Sequence, residues 1–147
     1  MTLPGMIAGA ALLLAAAASS AFDFKTVGGA PVILYDAPSS KSSKLFIAPR
    51  GMPLEVVLSY GEWVKVRDVS GDLAWTEAKG LSNRRNVVVR TPGLKVRATP
   101  DEAAATAFIA EKGILLEVSE ALGSGWIKVR HKDGLAGYVK GADIWGM

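Results

Sequence analysis

The chain repeats itself once, and this limits its fold more than any other feature. Pro38 matches Pro100, Gly51 matches Gly113, and Leu54-Glu55-Val56 matches Leu116-Glu117-Val118, each 62 positions apart. The second copy then gains one residue and the offset becomes 63. Trp63 falls on Trp126, Lys65-Val66-Arg67 on Lys128-Val129-Arg130, Gly71 on Gly134, Trp75 on Tyr138 and Leu81 on Ile144. The period exceeds that of solenoid repeats and lies near the smallest size of an independent domain. Two small domains in tandem are therefore expected, over residues 22–86 and 87–147. The join is the polar stretch Ser82-Asn83-Arg84-Arg85-Asn86.

Composition removes several chemistries. The 147 residues include no cysteine, which excludes disulfides, thiolate nucleophiles and zinc–thiolate sites. Only one histidine is present, His131, so a multi-histidine metal site is excluded. A Ser-His-Asp triad would have to run through that residue, and spacing fixes no serine or carboxylate near it. No dinucleotide glycine fingerprint, phosphate loop or calcium loop occurs. No cofactor, no metal and no catalytic residue is expected. The net charge of +3 divides almost evenly between the copies and gives no reason to expect a nucleic-acid partner. Asp68 and Asp72 bracket a turn and read as solvated turn formers, His131 as a surface turn residue, and Arg84-Arg85 as a solvated linker.

Residues 1–21 carry no charged side chain. The apolar run from Met6 to Ala18 is too short for a bilayer, which needs about 20 residues. It ends in Ser19-Ser20-Ala21, whose small side chains suit a signal peptidase. The reading is a secretory signal peptide cut before Phe22. The mature protein is then expected in the periplasm or secreted, with no membrane contact after cleavage. An uncleaved anchor or a buried core helix is the alternative.

Each copy reads as short strands, at Val56-Val57-Leu58, Trp63 to Arg67 and Leu73 to Thr76 in the first. Asp133-Gly134, and Ser70-Gly71 in the same place, are hairpin signals, because such residues tolerate positive φ. Thr99-Pro100-Asp101-Glu102 before an alanine-rich run resembles a capped helix. Pro49 would break a helix at the equivalent place in the first copy. A loop leading into a strand at Phe108-Ile109-Ala110 is therefore expected. Several short strands in some 60 residues suggest a small, strongly bent barrel.

Strand parity singles out the aromatics. In Trp63-Val64-Lys65-Val66-Arg67 the valines share one face, and Trp63 lies with the charges on the other. Trp126, with Lys128 and Arg130, repeats the pattern opposite Ile127 and Val129. A tryptophan on a charged face either lines a binding surface or packs in a small secondary core or between the domains. Trp75 and Tyr138 follow small residues and share this ambiguity. Tyr35 in one copy stands where Arg97 stands in the other. Trp145, without a counterpart, is expected to cap the second barrel.

Leu94-Lys95-Val96-Arg97 with Pro100, Gly113-x-x-Leu116-Glu117-Val118, Gly125-Trp126-Ile127-Lys128-Val129-Arg130 and Gly134-x-x-Gly137-Tyr138-Val139 together resemble the bacterial SH3 domain, SH3b. The first copy matches more loosely, with Tyr35 for the arginine, Ala74 for the second glycine and Thr76 for the valine. The resemblance implies an all-β protein of two tandem small SH3-like β-barrels. It also implies a non-catalytic module that binds peptide or glycan parts of the cell wall. By motif match, Trp63 and Trp126 would line the ligand groove. The expected ligand-binding residues are Tyr35, Trp63, Trp75, Arg97, Trp126 and Tyr138. The expected partner is peptidoglycan or a peptide or protein segment. A structural scaffold whose aromatics pack the barrels together is the alternative.

Overall fold

The computed structural model describes residues 23–147. The stretch read as a signal peptide lies outside the described residues. Among those described, the chain is all-β and forms two seven-stranded sheets, one per copy. The first contains β1 (Phe24–Val27), β2 (Val32–Tyr35), β3 (Lys44–Ala48), β4 (Pro53–Tyr60), β5 (Trp63–Arg67), β6 (Leu73–Glu77) and β7 (Leu81–Ser82). The second contains β8 (Asn86–Val89), β9 (Leu94–Arg97), β10 (Thr106–Ala110), β11 (Leu115–Ala121), β12 (Trp126–Arg130), β13 (Ala136–Lys140) and β14 (Ile144–Trp145). The strand orders, β3-β2-β6-β5-β4-β1-β7 and β10-β9-β13-β12-β11-β8-β14, are the same path walked twice.

Alternation builds each core. In β5, Val64 and Val66 are buried between half-buried Trp63, Lys65 and Arg67. In β12, Ile127 and Val129 do the same. Val27, Leu34, Ala48, Leu54 and Ala74 complete the first core. Leu94, Val96, Leu116, Val139 and Ile144 are among those completing the second. Each such valine, leucine or isoleucine side chain removed from water stabilises its unit by roughly 1.5–3 kcal/mol. The run 98–105 is a loop and β10 follows it, so the helix-like signal at Thr99 loses to the strand pairing of β10 with β9. Two short 3-10 helices, Ala78–Gly80 and Gly141–Asp143, precede β7 and β14 at equivalent positions of the two copies.

The hairpins form where expected, by a different turn. Gly134 has φ +91° and Gly71 has φ +95°, but among the described residues no non-glycine residue has positive φ. The amide of Gly134 donates to the carbonyl of His131, and the strand pair opens only after that turn. Each hairpin is thus a four-residue turn closed by one left-handed glycine, not a two-residue turn with both residues left-handed. Asp68 is also not solvated. It is buried, and its carboxylate accepts bonds from the Ser70 amide (3.0 Å), the Ser70 hydroxyl (2.5 Å) and the Asp72 amide (3.0 Å). His131 occupies the same place, and its Nδ1 lies 3.3 Å from the equivalent amide, that of Asp133. Both residues start a turn by capping an amide two positions on.

The units are tied at the join. The Thr26 hydroxyl of the first unit donates to the Arg84 carbonyl at 2.7 Å, and the Arg84 guanidinium lies 2.7 Å from Glu117 of the second. Arg84 is solvent-exposed, as expected of a linker residue, and also straps the two units. The Asn86 amide donates to the Gly51 carbonyl at 2.9 Å. Phe24 and Trp145 meet edge to face, with ring centroids 5.1 Å apart. Trp145 therefore bridges the units instead of capping the second one alone.

Candidate functional site

Register carries the side chains of the outer face. In the first unit Trp63 sits opposite Glu77, Lys65 opposite Trp75, and Trp75 opposite Tyr35. In the second, Trp126 sits opposite Lys140, Lys128 opposite Tyr138, and Tyr138 opposite Arg97. Paired residues share a face. All six residues expected to bind ligand are thus brought together, three per unit, in one repeated arrangement. Trp63, Trp75, Trp126, Tyr138 and Arg97 are half-buried; neither Trp63 nor Trp126 is sealed from water.

The two faces differ in chemistry. Tyr35 retains only 8% of its exposure, and its ring meets Trp63 edge to face at 5.5 Å. Tyr60, opposite Trp63, is 66% exposed. The first face is therefore an aromatic platform whose innermost ring, Tyr35, is already covered. In the second unit the residue in Tyr35's place is Arg97, and a cleft of about 260 Å³ opens beside Trp126. Thr91, Lys95, Arg97, Glu102, Lys140 and Asp143 bring the polar atoms to it.

Those polar groups are arranged by neighbours. One terminal nitrogen of Arg97 donates to the Ala104 carbonyl (3.2 Å) and the Thr106 hydroxyl (3.3 Å), which fixes the guanidinium against the 98–105 loop. The Lys140 ammonium lies 5.6 Å from the Trp126 ring centroid, within cation–π range. The same ammonium is ion-paired with Glu102 from the loop. That hydrogen bond, and the charges of Lys140 and Arg97, hold the Glu102 carboxyl below its ordinary value. The Thr91 hydroxyl lies 2.7 Å from a carboxylate oxygen of Asp143.

Gly137 explains how Arg97 reaches its place. A Cβ there would stand 2.6 Å from the Arg97 carbonyl oxygen and 2.7 Å from Val96. The backbone of β9 crosses that close. The small residue before Tyr138 serves this backbone approach, not merely the lie of the tyrosine ring. Sequence reasoning missed Lys95, Glu102, Lys140, Asp143 and Tyr60. For Lys140 a signal existed: it aligns with Glu77, a charge reversal directly opposite the repeated tryptophan.

Among the described residues, no group of three or more histidine or acidic side chains could hold a metal ion, and no helix is long and apolar enough to cross a membrane.

No curated protein matches the chain. Among solved structures, it is similar to NlpC2 from Trichomonas vaginalis, at 10% identity over 84% of this chain and 48% of that one, with a TM-score of 0.39. NlpC1 from the same organism matches at 10% identity over 86% and 48%, again at 0.39. An NlpC/P60 family protein from Bacillus cereus ATCC 10987 matches at 16% identity over 84% and 56%, also at 0.39. The chain spans about half the length of each. The bacterial SH3 domain family matches twice, over residues 28–83 and 91–146. These matches follow the two sheets just described, and the chain belongs to the bacterial SH3 domain family, with two domains in tandem.

Proposed function

We propose that this protein is an exported, non-catalytic binding module that contacts a peptide segment of the cell wall, or of a partner protein, through its outer aromatic faces. The observation that carries the reading is the repeated, half-exposed tryptophan, Trp63 and Trp126, held in one register by both units while the residues around it differ. Aromatic rings that stay partly in water beside polar groups suit recognition of a ligand with both apolar and polar parts. The second unit is the main site, because its cleft lies beside Trp126 whereas Tyr35 already covers part of Trp63. Two sites on one chain raise apparent affinity when both engage.

Co-sedimentation with purified peptidoglycan tests this. Wild type pellets with the wall, Trp126→Ala loses most of the pelleted fraction, and Trp63→Ala loses less. Wild type that stays in the supernatant overturns the cell-wall ligand, and a Trp126→Ala variant that pellets as wild type does overturns the aromatic face.

The contact of Phe24 with Trp145 favours a second reading, a rigid scaffold without a wall ligand. It expects wild type to remain in the supernatant and the tryptophan substitutions to have no effect.

A further inference from the structure

The two units provide an internal comparison at the cleft. Around Trp126 stand three cations, Lys95, Arg97 and Lys140. At the aligned positions around Trp63 the chain carries Ile33, Tyr35 and Glu77, so none of the three is retained. The loop carboxylate follows the same rule: Glu102 aligns with Ser40. At this loop position a carboxylate thus occurs only in the copy that also has an ammonium opposite its tryptophan. Lys95 has no ion-pair partner among the described residues, and Arg97 spends one terminal nitrogen on the loop. A guanidinium presents five N–H donors in a fork suited to a carboxylate.

From this pattern we infer that the second unit binds a peptide by its free terminal carboxylate, and that Glu102 occupies the carboxylate's place on Lys140 until the ligand arrives. The inference rests on the outer face being a binding face. The ligand carboxylate meets Lys140 and the free edge of Arg97, and the residue behind it lies on the Trp126 ring. Charge complementarity selects the occupant. The cleft has three cations against two carboxylates, one of which, Asp143, is already engaged by Thr91. Displacing Glu102 leaves Lys140 without its partner, and an incoming carboxylate restores the pair. Glu102 lies on an exposed loop, with its side chain 74% accessible, so its departure uncovers no core.

The test is an NMR titration of the full chain with N-acetyl-alanyl-alanine and with its C-terminal amide. The free acid is expected to shift the Trp126 indole N–H and leave that of Trp63 in place, and the amide to bind at least about tenfold more weakly. Glu102→Gln removes the internal competitor and tightens the acid about two- to fivefold, the range of one exposed ion pair. Lys140→Gln abolishes the preference for acid over amide. Asp101→Asn removes the same charge one residue away, leaves the Glu102 pair intact, and leaves affinity unchanged. Equal binding of acid and amide, or a Glu102→Gln effect matched by Asp101→Asn, overturns the proposal. If Trp126→Ala still loses the wall while acid and amide bind alike, the carboxylate idea falls and the binding face stands. If wild type ignores the wall yet prefers the acid, the cell-wall ligand falls, and the binding face and its carboxylate site stand.

Discussion

Glu117 offers a quantitative test of how the two units are held together. Its carboxylate lies 2.7 Å from Arg84 of the join and 2.6 Å from Arg130 of β12. Both arginines are largely exposed, at 70% and 57%, against 29% for the glutamate. Exposed pairs are worth ~0.2–1 kcal/mol each, so Glu117→Gln is expected to cost about 1 kcal/mol in total. For a domain of this size that lowers Tm by roughly 4–8 °C. Glu55 is the built-in control: it occupies the same place in the first unit and pairs with Arg67 alone, at 3.0 Å. Glu55→Gln should cost about half as much, and the difference is the strap. The hydrogen bonds from Arg84 and Arg130 hold the Glu117 carboxyl below its ordinary value of 4.5. A depressed folded-state pKa stabilises fully above the unfolded value, and that stabilisation is lost as pH falls through the folded one. The gap between wild type and Glu117→Gln is therefore widest near neutral pH and closes on the acid side of 4.5. Urea unfolding at a series of pH values measures it. A gap that is as large in strong acid as at neutrality, or a Glu55→Gln cost equal to that of Glu117→Gln, would refute the account.

The remaining predictions concern packing. A double-mutant cycle on Phe24→Ala and Trp145→Ala should show a coupling of about 0.5–1.5 kcal/mol in denaturant unfolding, and strict additivity would mean the ring contact does not join the units. Gly137→Ala forces a methyl against the Arg97 carbonyl and should cost about 1–3 kcal/mol. The reciprocal Ala74→Gly in the first unit should cost about 0.5–1 kcal/mol, read by the same unfolding curves. Leu116→Ala, in the second core, should cost about 2–5 kcal/mol and show first as loss of hydrogen-exchange protection in β11 and β12.

Much of this was legible in the sequence because duplication and alternation are local signals. The valines of β5 and β12 declare their face by period two, and the offset between copies aligns the strands before any coordinate is known. Contacts set by long-range closure were not legible. Phe24 and Trp145 are near opposite ends of the chain, and Trp145 has no counterpart to compare with. Glu102 and Lys140 meet only because the 98–105 loop folds back towards β13. Asp68 was misread because turn propensity describes the backbone and is silent on whether three donors converge on the carboxylate. The helix-like start at Thr99 fails for the opposite reason: a good local signal is overridden by the pairing of β9 with β10.

The strap at Arg84 has a consequence for reach. A loose tether would let the two tryptophan faces swing apart and search for targets at many spacings. A carbonyl held on one side and a guanidinium on the other restrain that swing, so if the faces bind as proposed, a polymer whose repeat fails to match their spacing would engage one face at a time.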